Sequence, residues 1–586
     1  FPGDTILLPD RPEFLHDGAR TAPADRSALN HPTPAIVTQR AARRLPRLAL
    51  LLLCAAYVLP GHFGRDPWRN ADVTAYGYMH GLAHGGDWWH PLIAGLPSDG
   101  GLLPYWLGAL FIQALGGWLG PELAARVPFA LLLVATLALT WYSCYHLART
   151  EAAQPVAFAF GGEAHPVDYA RAVADGAVLA LLACLGLLQL GHEITPELVQ
   201  LAGASLALYA VSASTYRGWQ PRVAMLAALP LMAGSGAASM ALALALAAGV
   251  VCLRSHYDST RTFAPWVLAS ALLAALLATA LGTWRWHVLD WPSPTQVSRL
   301  LLWFTWPAWL LAGWTLWRWR HHLLHRHIAW PLAVAAIAVV ACVAMNGSDR
   351  ALLLGLPALA VLSAFALPTL RRPMASAIDW FSVCFFTAIA LFVWVMYAAM
   401  HTGVPAKPAA NIAKLAPGFE AQFSVLAFVL GLAATLAWGW LVRWRTGRHR
   451  EALWRSLVLP AGGVALIWLL MLTLWLPLLN YARSDRPLVE RLARHLPAQG
   501  CVRVSGLPRH QLAALESLGG FRLHQGFDDP AGPSCDHLLL VGSRNTPPQP
   551  PEGWVQVAAE RRPTDRQEQT YVFRRAPAAP STAEAR

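Results

Sequence analysis

A polytopic α-helical membrane protein of about thirteen spans, with interfacial helices in its first outer loop and a small α/β extracytoplasmic domain at its C-terminal end, is the predicted fold class. Three observations carry it. The 586 residues are 56% hydrophobic and 13% charged, roughly half the usual charged fraction of a globular protein. Apolar runs recur from Leu48 to Leu479, each close to the ~20 residues that a bilayer requires. Arginines interrupt those runs, and beyond residue 480 the composition turns polar and mixed.

The net charge of +12 would suggest nucleic acid in a soluble chain. Here the cations lie between apolar runs and act as topology signals, so no nucleic-acid partner is expected. Lysine occurs only at Lys407 and Lys414, which makes nearly all positive charge guanidinium.

Taken in order, residues 1–44 lack the apolar core of a cleavable signal and read as a disordered cytoplasmic leader. Residues 45–480 form the transmembrane domain, with the first outer loop at 63–124. Span 1, about 48–63, follows Arg40, Arg43, Arg44 and Arg47, which places Gly64 outside. The run 102–118 holds Pro104 and ends at Gly116-Gly117, and is taken as an interfacial or re-entrant helix. With that choice, Arg149, Arg217, Arg254, Arg318, Arg371 and Arg443 all fall on the cytoplasmic side of a bacterial inner membrane. Spans follow at about 125–147, 173–191, 198–215, two within 222–253, 264–283, 301–317, 328–345, 351–370, 377–400, 421–442 and 456–479. Residues 150–172 are a cytoplasmic insert. The segment 481–575 alternates short β-like runs with a helix near 511–518 and reads as a periplasmic α/β domain, before a disordered tail at 576–586. Cys501 and Cys535 fall in this domain, where an oxidising compartment would permit a disulfide.

The outer loop carries Gly64-Arg-Asp-Pro-Trp-Arg-Asn-Ala-Asp72, then Gly86-Asp87-Trp88, Tyr105-Trp106-Leu107 and Ala124-Ala125-Arg126 with Pro128. This series resembles the GT-C membrane glycosyltransferases, and within them the bacterial protein O-mannosyltransferases and lipid A aminoarabinose transferases. Counting back from Gly86-Asp87-Trp88 sets Asp72 on the family's Asp and Tyr76 on its Tyr. Thr195-Pro196-Glu197 resembles the family's Thr-x-Asp, and Leu476 to Ser484 resembles the aminoarabinose-transferase pattern. The resemblance covers most of 48–575 and is most specific over 64–128. Val73 and Ala75 stand where the family has Glu and Arg. Gly100 to Pro104 replaces its Lys-Pro-Pro, and Ser235-Gly236 replaces its Lys-Gly, so recognition of donor or acceptor must differ.

The resemblance implies an inverting glycosyltransferase that moves a sugar from polyprenyl phosphate to a lipid A, other glycan or lipid, or protein acceptor on the periplasmic side. Asp72 is then the general base, which must reach the acceptor hydroxyl within ~3 Å, and Glu197 an assisting acid. Arg65, Arg69 and Arg350 are candidate phosphate ligands, because guanidinium groups suit a leaving phosphate; Arg285 and Arg299 are weaker ones. Tyr76 and Tyr105-Trp106 would line the mouth of the cavity. No metal ligand is assigned, because His80 and His84 are four apart but no adjoining Glu completes a zinc motif; the resemblance implies metal-independent relatives, a metal requirement stays open, and the lipid-linked sugar is the donor substrate. Structural alternatives stand beside these roles. Asp72 suits an N-cap, Asp66 and Asp87 suit turns, Glu197 suits a helix start, and Arg350 suits an interface anchor. A transporter or flippase is the alternative from another class, although no internal repeat is evident; a silent homologue acting in assembly is a third.

Overall fold

A computed structural model describes residues 33–284, 292–447, 452–497, 500–526, 535–549 and 552–576. Arg285 lies outside the described residues, as do 1–32 and 577–586.

The first helix, α1 (Arg47–Val58), leads into an outer segment holding α2 (Ala71–Ala83), a two-stranded hairpin β1 (Leu92–Ile93) and β2 (Leu96–Pro97), and α3 (Leu103–Leu119). Gly120, at φ +79°, turns the chain directly into α4 (Pro121–Ala148). A left-handed φ costs glycine nothing, and proline at the first helical position has no N–H to leave unpaired.

Then come α5 (Pro166–Ala183), α6 (Leu185–Leu190), α7 (Pro196–Ala213), α8 (Trp219–Gly234), α9 (Ala238–Leu253), α10 (Asp258–Arg261) and α11 (Ala264–Ala280). The bundle continues through α12 (Pro294–Phe304), α13 (Ala308–Arg318), α14 (Arg326–Ala344), α15 (Asp349–Leu353), α16 (Leu356–Ala364), α17 (Arg372–Thr402), α18 (Ala406–Leu415), α19 (Val425–Thr446) and α20 (Arg455–Leu474). Six helices among the described residues are long and apolar enough to cross a membrane, so the count of thirteen is not what the helices themselves display.

Several expected spans are divided. The run 173–191 breaks at Cys184, whose ψ of 121° leaves the helical region. The run 301–317 breaks at Thr305 to Pro307, where proline withdraws a backbone donor. The two breaks meet, because Leu185 N–H donates to the Trp306 carbonyl at 3.1 Å. Gly186 is needed there: a Cβ on it would lie 2.5 Å from the Phe304 ring. Irregular backbone within a membrane bundle survives where protein or a cavity satisfies it, and a cavity lies on each side of this junction.

Residues 33–44, expected to be disordered, are held in place. Val156 and Ala164 N–H donate to the Ala35 and Val37 carbonyls, Gln39 Nε2 donates to Asp168, and Trp454 Nε1 donates to the Arg43 carbonyl. The insert after α4 is the partner that composition alone did not disclose.

Beyond α20 the chain runs through α21 (Leu476–Arg483) and α22 (Arg486–Leu492) into a five-stranded sheet with α23 (Arg509–Ser517). The strands β3 (Cys501–Ser505), β4 (Arg522–Gln525), β5 (His537–Ser543), β6 (Trp554–Glu560) and β7 (Glu568–Arg575) lie in the order β4-β3-β5-β7-β6. The β3 pairings with β4 and β5 are parallel, and those of β7 are antiparallel. Cys501 and Cys535 are joined in a disulfide. This domain docks through α23 on α2, where a Cβ on Gly77 would stand 2.8 Å from that of Ala513.

Candidate active site

Four of the expected site residues, Arg65, Asp72, Glu197 and Arg350, meet at one short segment, His192 to Glu197, which runs from the end of α6 into the first turn of α7. Two acid–guanidinium centres flank it.

The first centre is sealed. Asp72, in the first turn of α2, is 1% exposed. Its Oδ2 accepts from Arg65 NH2 at 3.0 Å and from Trp68 N–H at 3.0 Å, while Oδ1 accepts from Ile194 N–H at 2.9 Å. Arg65 NH2 also donates to the His192 carbonyl at 2.7 Å, and its guanidinium stacks 4.8 Å from the Trp68 ring centre. Asp72 therefore ties the outer loop to the 192–197 segment and does not cap its own helix, whose N-cap is Asn70 at φ 70°. A carboxylate with three such bonds is strongly held, and one lone-pair direction is left for any fourth donor. These bonds draw Asp72 under the loop, beside the Arg65 that the sequence placed next to it.

The second centre is open. Arg350, at the start of α15, donates from NH2 to Glu193 Oε2 at 2.7 Å and from NH1 to Glu197 Oε2 at 3.1 Å, and reaches Thr195 Oγ1 at 3.2 Å. The Arg350 and Glu197 side chains are 25% and 24% exposed, against 5% for Glu193. Glu193 Oε1 accepts from Gln189 Nε2 at 2.9 Å, and Gln189 Oε1 from Arg483 NH1 at 2.8 Å. The Arg483 guanidinium lies 5.0 Å from the Trp68 ring centre, which links the two centres. Burial raises the Glu193 carboxyl above its ordinary value; Arg350 pulls against that and Asp72 adds to it.

The remaining candidates separate. Arg65 belongs to the sealed centre. Arg69 turns towards the C-terminal domain, 3.9 Å from Asp565, and lines a cleft with Asp485, Arg562 and Glu568. Tyr76 and Tyr105 are 1% and 5% exposed, so they pack beneath the loop and do not line a mouth. Tyr105 lies 5.1 Å from the Tyr78 ring; Trp106, half-buried, donates to the Trp88 carbonyl. Burial raises the Tyr76 phenol. Asp87 holds the turn by accepting from Trp89 N–H, and the His80 and His84 rings stack with centres 4.1 Å apart.

Sequence reasoning did not name Glu193, Gln189, Arg483 or Asn480 as site residues. Asn480, in the middle of α21, accepts from Asp66 N–H and Trp68 Nε1 and donates to the Gly64 carbonyl, so the helix after the last apolar stretch latches the first outer loop. Arg126 also lies buried near Arg65, Asp72 and Asp66.

Two hollows adjoin the α5–α6 break. One is an apolar cleft of about 230 Å³ lined by Ala183, Leu185, Trp306, Pro307, Phe381 and Leu457. The other is a polar groove of about 890 Å³ whose wall includes Gly186, Thr295, Gln296, Arg299, Trp303 and Asp349. Leu185 borders both, and Asp349 precedes Arg350.

The two departures from the family's lysines meet in space. A Cβ on Gly101 would lie 2.2 Å from the Gly234 carbonyl oxygen and 2.5 Å from Gly236 N. The loop and the α8–α9 turn are thus packed backbone to backbone where a longer side chain has no room.

No family model matches the chain, and no curated protein does. Among solved structures, ArnT from Cupriavidus metallidurans bound to undecaprenyl phosphate aligns at 14% identity over 90% of this chain and 97% of that one, with a TM-score of 0.57. Its apo form gives 15%, 89%, 97% and 0.58. The fold is shared with ArnT. The resemblance read from the outer loop is met at the level of the fold. The arabinosyltransferase EmbB from Mycobacterium smegmatis aligns over 92% of this chain and 48% of its own length, at 14% identity and a TM-score of 0.40.

Proposed function

We propose that the protein is an inverting glycosyltransferase that takes a sugar from a polyprenyl-phosphate donor and gives it to a lipid A, other glycan or lipid, or protein acceptor. The arginine-bearing ends of the helices face the cytoplasm of an inner membrane, and the C-terminal domain stands in the periplasm. The observation that carries this reading is the open centre, a guanidinium with two carboxylates, whose Arg350 directly follows Asp349 on the wall of a groove that adjoins an apolar cleft. That sequence of environments suits a lipid phosphate, with its isoprenoid tail in the cleft and its charged head in the groove.

Arg350 holds the phosphate, with Arg299 on the groove wall as a second cation. Backbone packing of Gly101 against Gly234 to Gly236 leaves the clamp to guanidinium groups, where related enzymes place lysines. The acceptor oxygen attacks the anomeric carbon as the carbon–oxygen bond to phosphate breaks. Its proton passes to Glu197, and the phosphate leaves with the bonding electron pair. In this reading Glu197 takes the base role first expected of Asp72, since its side chain is 24% exposed against 5% for Glu193 and 1% for Asp72. Asp72 keeps the 192–197 segment in register through Ile194 N–H.

Purified protein incubated with labelled polyprenyl-phosphate sugar and membrane extract is expected to consume donor, and Glu197→Gln to slow this by about 10²–10⁴-fold. Absence of donor loss with the wild-type protein would overturn the assignment.

A further inference from the structure

The two carboxylates on Arg350 are not equivalent. Glu193 is almost fully buried, sits 2.7 Å from NH2, and is braced from behind by Gln189 and Arg483. Glu197 is about a quarter exposed, sits at 3.1 Å from NH1, and lies in the first turn of α7. One partner is fixed and the other faces the open side.

Both terminal nitrogens of Arg350 are engaged, NH1 by Glu197 and Thr195 and NH2 by Glu193, so a phosphate takes the edge between them only by displacing a ligand. A guanidinium presents five donors in a rigid fork, and a bidentate phosphate needs two of them on one face. The carboxylate that can leave is the exposed one, because water compensates its charge, whereas a freed Glu193 would remain as a buried, unpaired charge.

We infer that Glu193 is the positioning residue of Arg350 and that Glu197 is an exchangeable ligand, displaced from the guanidinium by the donor phosphate. This rests on the donor reading above. Phosphate binding and base activation then become one event. While Glu197 is paired with Arg350, its Oε2 is engaged by NH1; once the phosphate takes its place, that oxygen is free to receive the acceptor's proton. The site gains its base only when the leaving group is seated, which discourages proton abstraction without a donor. Thr195 Oγ1 already accepts from Arg350 NH1 at 3.2 Å and keeps that nitrogen in place while Glu197 is exchanged for the phosphate.

The exchange makes an uncommon prediction: removing a charged site residue should tighten binding. Equilibrium binding of undecaprenyl phosphate to the full-length protein in nanodiscs is to be measured for wild type, Glu197→Gln and Glu193→Gln, with thermal melting and turnover of each. Glu197→Gln is expected to bind about threefold to tenfold more tightly, as fits the loss of a partly exposed competing ion pair, while turnover collapses and melting stays near wild type. Glu193→Gln is expected to bind at least about fivefold more weakly, with Glu193→Asp recovering part of the loss. Unchanged or weaker binding by Glu197→Gln, with wild-type binding intact, overturns the exchange and leaves the donor reading standing. Wild-type binding with Glu193→Gln overturns the positioning role. If none of the proteins binds undecaprenyl phosphate, the donor reading itself fails and the exchange with it.

Discussion

The sealed and open centres use the same chemistry on the same segment and differ in access. At the first, Arg65 and Asp72 meet at 3.0 Å with side chains 0% and 1% exposed. At the second, Arg350 meets Glu193 and Glu197 with about a quarter of its surface free. A buried ion pair contributes little net stability when intact, yet breaking it on one side is costly because the other charge stays in low dielectric. An exposed pair is worth little either way, and its partners can be exchanged. The two centres therefore differ in what a ligand can reach: the Asp72 carboxylate is enclosed, whereas the Glu197 carboxylate is about a quarter exposed.

The strongest way to break this comparison is Asp72→Asn. It leaves the Arg65 guanidinium buried without its counter-charge, and the expected cost is about 3–5 kcal/mol, read as a large fall in melting temperature together with loss of transfer. Replacing both partners, in Arg65→Met with Asp72→Leu, should recover part of that stability. Wild-type melting by Asp72→Asn with transfer abolished would make Asp72 a chemical group and erase the division between the centres.

A smaller effect sharpens the same boundary from the other end of the chain. Asn480→Ala removes three hydrogen bonds to Gly64, Asp66 and Trp68. The expected loss is about 1–3 kcal/mol, measured by melting. Because the latch secures only the sealed side, the affinity for undecaprenyl phosphate should change less than stability does. A larger effect on affinity than on melting would show that the open centre depends on the latch.

The legibility of the two centres in the sequence was uneven for a physical reason. Spacing to Gly86-Asp87-Trp88 singled out Asp72, and the arginine pattern placed Arg350 and Glu197 on one side of the bundle. Composition could not place Glu193 on Arg350, a contact spanning 157 positions, or Arg483 on Gln189, spanning 294. Neither contact has a local periodicity to betray it. The broken spans at Cys184 and Trp306 were hidden likewise, since apolar runs read as continuous until their backbone partners are known. Residues 33–44 looked disordered because their order comes from the insert after α4. The alternating runs of the C-terminal domain, by contrast, gave most of its strands; Arg522–Gln525 escaped because its polar residues show no apolar alternation.

The smallest expected effect concerns the dock that keeps the C-terminal domain over the sealed centre. Glu516, on α23, accepts from Ala94 N–H at 2.9 Å in the turn between β1 and β2, and burial pushes its carboxyl up to about 7. The docked state therefore holds a proton more tightly than the undocked or unfolded state, whose carboxyl titrates near 4.5. Docking is favoured when Glu516 is protonated, and that advantage is lost as pH rises from about 4.5 through 7. After allowance for partial exposure, the change is about 1–2 kcal/mol. Melting of the wild type should fall between pH 5 and pH 8, and Glu516→Gln should flatten that slope, with its largest gain over wild type at pH 8. Unlike Asp72→Asn, this change should leave the Arg65 pairing intact, so transfer at pH 5 should match wild type. An unaltered pH slope in Glu516→Gln would place the titrating group elsewhere in the dock.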